Sequence, residues 1–202
     1  SGVHRFEGMA GVIVDLEYDT DAFPSGLPNI SMTMRGDKVY DPRDASTAWT
    51  ENPALIARDW ALYSAGGGLP TTAVDEDTFS AAASACEVDT DFVTSAGTTT
   101  RPLYTAGMVC RTDADPWQQF QDIVEAMAGK AGFAGGLLRV VAGVYRAPVF
   151  ALTEDWLSGQ GDVQVVPEPA TEDAINVLRP VIADAAQGYL QVPAPPVRAA
   201  AY

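Results

Sequence analysis

Two dipeptides, Asn52-Pro53 and Asp115-Pro116, constrain what this chain can fold into more than any other feature. In each, a short polar side chain that can accept from free helix N–H groups stands just before a proline. The proline's fixed φ and missing N–H suit the first helical position. Behind Asn52-Pro53, the residues Leu55, Ile56, Trp60 and Tyr63 fall on one helical face, and Gly66, Gly67 and Gly68 end the run. Behind Asp115-Pro116, the stripe is Trp117, Phe120, Ile123, Val124 and Met127, closed by Gly129 and Gly132. A further helix is expected to begin near Asp75, with Phe79, Ala82, Ala83 and Cys86 on its buried side. Three amphipathic helices therefore occupy the middle of the chain, and each needs an apolar surface to cover its stripe.

The flanks read differently. Val, Ile and Tyr enrichment with alternation predicts strands over 6–19, 30–34 and 38–40, separated by a Pro/Gly loop at 23–28. After the second helix, the Thr, Ser, Gly and Asp of 89–100 predict an exposed loop, and 101–112 a strand. Strands are also expected at Phe133, 137–142 and 149–152, then a capped turn at 153–157 and strands at 163–166, 176–183 and 189–192. Segregated β, helices, then β again predicts an α+β fold and not an alternating parallel sheet. The division expected is a β frame over 1–50, an inserted three-helix α+β part over 51–160, and closing strands over 161–202. The bare start at Ser1 and the Pro/Ala ending predict a piece of a longer protein.

Several chemistries are disfavoured by residue supply. His4 is the only histidine and lies at the terminus, which removes Ser-His-Asp and Cys-His systems and the HExxH zinc motif. Gly66-Gly67-Gly68 ends a helix and has no Gly-Lys-Ser/Thr after it, so it is not a phosphate loop. The acid pairs Asp19/Asp21, Asp75/Asp77, Asp89/Asp91 and Asp113/Asp115 lack the Gly and terminal Glu of a calcium loop. Cys86 and Cys110 fit neither a disulfide framework nor a zinc site and read as reduced thiols. Trp49, Trp60, Trp117 and Trp156 are expected in packing, not in a sugar platform. A net charge of −15 argues against binding nucleic acid, because phosphate neutralisation needs clustered cations. The apolar run 137–144 is interrupted and far short of a bilayer span, so no membrane segment is expected. No enzyme activity, cofactor or metal is expected.

The most distinctive string is the connector between the opening strands and the first helix: Tyr40-Asp41-Pro42-Arg43, then Ala48-Trp49, then Glu51-Asn52-Pro53-Ala54-Leu55. With its flanks it resembles the hub region of the tip attachment (host-specificity) proteins of long-tailed, non-contractile bacteriophages. The likeness starts at Met9-Ala10-Gly11-Val12 and Tyr18-Asp19, and runs through Pro28-Asn29-Ile30 and the Gly36-to-Arg43 element. It continues through Arg58-Asp59-Trp60, Phe79 with Ala82-Ala83 and Cys86, Pro116 with Ile123, Gly132 and Gly135-Gly136. It ends at Leu152-Thr153 and Asp173-Ala174-Ile175-Asn176-Val177. The DPR and AWTENPAL elements are its most specific part, and the long polar stretch at 91–100 departs from the family's pattern.

The resemblance implies a β-rich, tube-like hub frame with an inserted helical part, closing the distal end of a tail tube as a homotrimer. It implies neighbouring distal-tail and tape-measure proteins as partners, and a host receptor reached through C-terminal regions outside this sequence. It places the protein at the virion tail tip after synthesis in the bacterial cytoplasm. Within that frame, Pro42 would fix the corner, Asp41 and Arg43 would bond across it, Asn52-Pro53 would start the helix at a set angle and Trp49 would wedge the joint. A contractile-tail baseplate hub of the same broad fold is an alternative. An acidic cell-wall hydrolase domain is a second, from a different class.

Overall fold

The computed structural model describes residues 12–17, 19, 21, 26, 29–30, 32–94, 97–151, 175, 177–184, 188 and 190–198. The chain divides into two compact units, Ser1–Gly36 and Asp37–Tyr202.

In the first unit, the described residues carry no helix or strand. The strands expected at 6–19 and 30–34 are therefore corrected at 12–17 and at 30 and 32–34; the rest of both lies outside the described residues. The apolar side chains there are exposed, Ile13 almost completely at 99%. Alternation selects a side-chain face, but a strand exists only where a second backbone completes its ladder.

The second unit is built on three helices, α1 (Pro53–Leu62), α2 (Glu76–Cys86) and α3 (Pro116–Glu125). Each starts on the expected cap. The Asn52 carboxamide oxygen accepts from Ala54 N at 3.1 Å, and Asp75 Oδ1 accepts from Thr78 N at 3.3 Å. Asp115 Oδ1 accepts from both Trp117 N (2.8 Å) and Gln118 N (3.0 Å). The glycines after α1 fold flush onto its last turn. A Cβ at Gly66 would lie 2.8 Å from the Trp60 indole, and one at Gly67 would lie 2.5 Å from the Ala61 carbonyl oxygen. In the turn after α3, Ala128 lies in the left-handed region (φ 49°) and Gly129 N reaches back to Val124 O at 3.1 Å.

The strands are β1 (Val39–Asp41), β2 (Ser46–Ala48), β3 (Asp89–Thr94), β4 (Gly97–Pro102), β5 (Lys130–Ala134), β6 (Leu137–Val141), β7 (Val177–Leu178), β8 (Val181–Asp184), β9 (Leu190–Pro193) and β10 (Val197–Arg198). They pair antiparallel as β1–β2, β3–β4, β5–β6, β8–β9 and β7–β10, so each sheet has two strands. The class is α+β; among the described residues no sheet closes into a barrel. Gly135 and Gly136, both at positive φ, make the two-residue turn between β5 and β6.

One core joins the three helices to β1 and β6. Leu55 and Trp60 of α1, Phe79 and Ala83 of α2, and Phe120, Ile123 and Val124 of α3 are all buried. β6 closes it by alternation: Leu138 and Val140 point inward, while Arg139 points outward to pair with Asp75 at 2.8 Å. Val74 bridges Leu138 in parallel, and Asp75 N donates to Leu138 O at 2.9 Å, which ties the start of α2 to the hairpin.

Other expectations need correction. The exposed loop at 89–100 is mostly the β3–β4 hairpin, because Thr90, Phe92, Val93 and Thr98 to Thr100 are strand-favouring residues whatever the polarity of the stretch. The strand expected over 101–112 stops at Pro102, which has no N–H to extend a ladder. No strand forms at 149–151, where Val149 is 99% exposed. The strand expected at 176–183 is broken at Arg179-Pro180 into β7 and β8, again at a proline. Gly132, expected to end α3, lies inside β5. The turn at 153–157 and the strand at 163–166 lie outside the described residues. No helix among the described residues is long and apolar enough to cross a membrane.

Candidate functional site

The connector forms a hairpin and a corner. β1 and β2 pair Val39 with Ala48 and Asp41 with Ser46, across a turn at 42–45. Asp41 Oδ1 accepts from Arg43 N at 2.9 Å, an Asx turn that aims the Arg43 side chain back along the hairpin.

The Arg43 guanidinium then meets two carboxylates. Toward Asp41 it donates from Nε to Oδ1 (2.9 Å) and from Nη2 to Oδ2 (2.6 Å). Toward Glu87, just past the end of α2, it donates from Nη1 to Oε2 (2.7 Å) and from Nη2 to Oε1 (2.9 Å). Ser84 Oγ lies at the edge of the cluster, 3.4 Å from Nη1. Asn52 closes the ring. Its Nδ2 donates to Glu87 Oε1 at 2.8 Å and to the Ala83 carbonyl at 3.0 Å, while its Oδ1 caps α1. Asn52 is only 4% exposed, so its side-chain bonds are made with little competition from water. The hairpin turn, the first turn of α1 and the last turn of α2 are thus joined through Arg43 and Asn52.

Tyr40 serves a second joint. Its ring lies beneath the Arg58 guanidinium at 5.1 Å, and Arg58 forks onto Glu76 at 2.6 and 2.5 Å. Arg58 is 5% exposed although the helical pattern marks it as an outward position. Pro53 is fully buried at the head of α1, and Pro42 occupies the hairpin turn. Trp49, expected to wedge the joint, follows β2 and is 37% exposed. The tryptophans split: Trp60 is buried, whereas Trp117 is 44% exposed, and Trp156 lies outside the described residues. Packing accounts for Trp60 and only in part for Trp117.

The electrostatics follow from these bonds. The Arg43 guanidinium holds both Asp41 and Glu87 below the usual carboxylate range, and Asn52 adds to the effect on Glu87. Those carboxylates raise Arg43 in return, and Glu76 raises Arg58. All four oxygens of Asp41 and Glu87 have donors, and their acidity moves away from neutrality. A general base needs the opposite shift. Asp59 differs: burial, with Asp37 nearby, pushes its carboxyl up. Cys86 lies fully buried with its Sγ 3.8 Å from Met127 Sδ, and burial raises its thiol to about 11. Burial also raises Cys110, and both thiols are unpaired cysteines. Both shifts act against thiolate formation at neutral pH. Among the described residues no group of three or more His, Cys, Asp or Glu side chains is placed to hold a metal ion.

The structure therefore joins Asp41, Arg43 and Asn52 in one corner, with Pro42 in its turn and Pro53 next to Asn52 at the head of α1, while Tyr40 belongs to the Arg58–Glu76 joint. Sequence reasoning missed Glu87, Ser84, Arg58 and Glu76. Glu87 lies 44 positions from Arg43, and no local spacing signals that pairing. Glu76 was legible as an acid in the first turn of α2, but its partner was not. This arrangement can hold a corner at a fixed angle; its charged groups are committed to one another. No protein-family model matches the chain, and no curated protein matches it.

Proposed function

We propose that the chain is a structural, non-enzymatic module of a phage tail tip: part of the hub that closes the distal end of the tail tube and carries the host-recognition parts. In this reading the intact protein is a homotrimer that contacts distal-tail and tape-measure neighbours. The strands flanking the helices would contribute to a tube-like β frame, and the receptor would be met by regions outside this sequence.

The observation that carries the reading is the connector. Asp41, Arg43 and Asn52, which belong to the string that bears the resemblance, lock the hairpin turn to α1 and α2 together with Glu87. A hub whose helical part projects from a β frame needs such a rigid corner. The charge also suits the role, since a balance of −15 lets DNA pass a lumen without adsorbing to it.

The test is to raise antibody against this chain and gold-label purified virions. Label at the tail tip, with no release of fragments from peptidoglycan or host polysaccharide by the purified protein, is the expected result. Label on the capsid or tail shaft would overturn the reading. So would a hydrolytic activity that copurifies with the protein and disappears when one acidic residue is changed.

A further inference from the structure

β3 and β4 pair only with each other, and their ladder is the longest of the two-stranded pairs. Leu103 N donates to Val88 O at 3.0 Å in register with that ladder, which sets its phase. Val88–Leu103 is a bonded pair, so Thr90–Arg101 and Phe92–Thr99 are the next bonded pairs. At Asp89 and Asp91 the backbone N–H and C=O therefore point away from β4. Among the described residues no backbone bond meets them there. The same phase turns the backbone of Thr98 and Thr100 outward on the β4 side.

The two edges are not equivalent. On β4, Pro102 has no N–H to offer and Arg101 adds a positive charge. On β3, Asp89 and Asp91 are exposed and share one face of the strand. Thr100 Oγ1 donates to Asp91 Oδ1 at 2.6 Å, which fixes that carboxylate over the ladder. On the opposite face the hairpin's one arginine, Arg101, lies over the Phe92 ring at 4.3 Å and does not reach the carboxylates.

We infer that the outer edge of β3 receives an extended segment of another protein as a third strand, with basic side chains at alternate positions. The segment's backbone would bond the outward N–H and C=O groups of Asp89 and Asp91, and every second side chain would fall beside their carboxylates. Charge selects the occupant. The β3 of a second copy would set these acids against their own kind, and an acidic segment would do the same. A third strand also suits a hairpin that is marginal with two. The inference stands on the hairpin alone and does not depend on the tail-tip reading.

The test titrates blocked peptides into the whole chain and reads amide shifts and hydrogen exchange by NMR. The peptides are Thr-Lys-Val-Lys-Thr, Thr-Glu-Val-Glu-Thr, and the lysine peptide with every backbone nitrogen methylated. At saturation the lysine peptide should slow exchange at Asp89 and Asp91 by about fivefold or more and leave Thr98 and Thr100 unchanged. Methylation keeps the charge but removes the donors, so it should weaken binding by about fivefold or more. Asp89→Asn combined with Asp91→Asn, read at the Thr90 and Phe92 amides, should weaken the lysine peptide by about threefold or more. Asp113→Asn combined with Asp122→Asn removes the same charge elsewhere and should stay within about twofold of the parent. Unspecific attraction to an acidic protein predicts equal binding of the methylated peptide and equal loss in both double variants. Either result would overturn the inference, as would protection at Thr98 and Thr100 instead, equal binding of the glutamate peptide, or an unmoved spectrum. Thermal melting of each variant confirms that it remains folded.

Discussion

Arg43 spends its planar fork on two acids contributed by distant parts of the chain, and its side chain keeps only 25% of its surface exposed. Removing it leaves Asp41 and Glu87 as like charges with no shared donor. Arg43→Ala should therefore lower stability by about 1–3 kcal/mol, and Arg43→Lys should recover little, since a point charge cannot serve both carboxylates at once. Urea denaturation checks both; loss within about 0.5 kcal/mol for Arg43→Ala would reduce the corner to an ordinary surface loop. The pH dependence has a definite sign. Asp41 and Glu87 are held low in the folded state, so their contribution is complete above their unfolded values near about 4. It is lost as the pH falls through the lower folded values. Asp59 works in the opposite sense. Its carboxyl is raised by burial, so keeping it ionised costs stability above the raised value, and that cost vanishes as the pH falls through it. Asp59→Asn should raise the urea midpoint at pH 7 and lose that advantage at pH 3. The same midpoint shift at both pH values would show that packing, not charge, explains the variant.

At the scale of elements, the helices were legible because their signals are local. Asn52, Asp75 and Asp115 each lie within a few positions of the N–H they cap, and proline and glycine punctuation sits beside them. The hairpins were less legible. β2 follows β1 after a turn without glycine, in which Ala45 takes a positive φ of 60°, so the usual hairpin dipeptide is missing. The 89–100 stretch has the Ser, Gly and Asp of a loop beside the Thr, Phe and Val of a strand, and its partner register decides between them. The candidate corner was half legible for the same reason: Asp41–Arg43 is a contact two residues apart, whereas Glu87 enters from the far end of α2. One residue of an otherwise well-signalled helix end is poorly matched to its backbone. Ala128 takes a left-handed conformation that glycine adopts without penalty. Ala128→Gly should raise stability by about 0.5–1 kcal/mol, measured as an upward shift in Tm; a fall would mean that its methyl packs against Gly143 usefully.

For the molecule as a whole, charge and exposed apolar surface pull in opposite directions. The β7–β10 and β8–β9 pairs form one ribbon, linked by Ala194 N donating to Pro180 O at 2.9 Å, and they leave Leu178, Val181, Leu190 and Val197 mostly exposed. Such surface favours association, whereas a net charge of −15 on every copy opposes it. This 202-residue chain should run as a monomer in low salt and shift toward trimer as salt screens the repulsion. Light scattering after size exclusion checks this. A salt-insensitive dimer at micromolar concentration would count against a threefold assembly. The Arg43 fork has a mechanical counterpart to its thermodynamic one. A pull applied between Asp37 and Pro102 draws the β1–β2 hairpin away from the end of α2, which places the Glu87 bonds directly across the line of tension. Two parallel bonds that break together resist extension better than two broken in turn. In an optical trap, Glu87→Gln should lower the rupture force of this segment far more than it lowers the Tm.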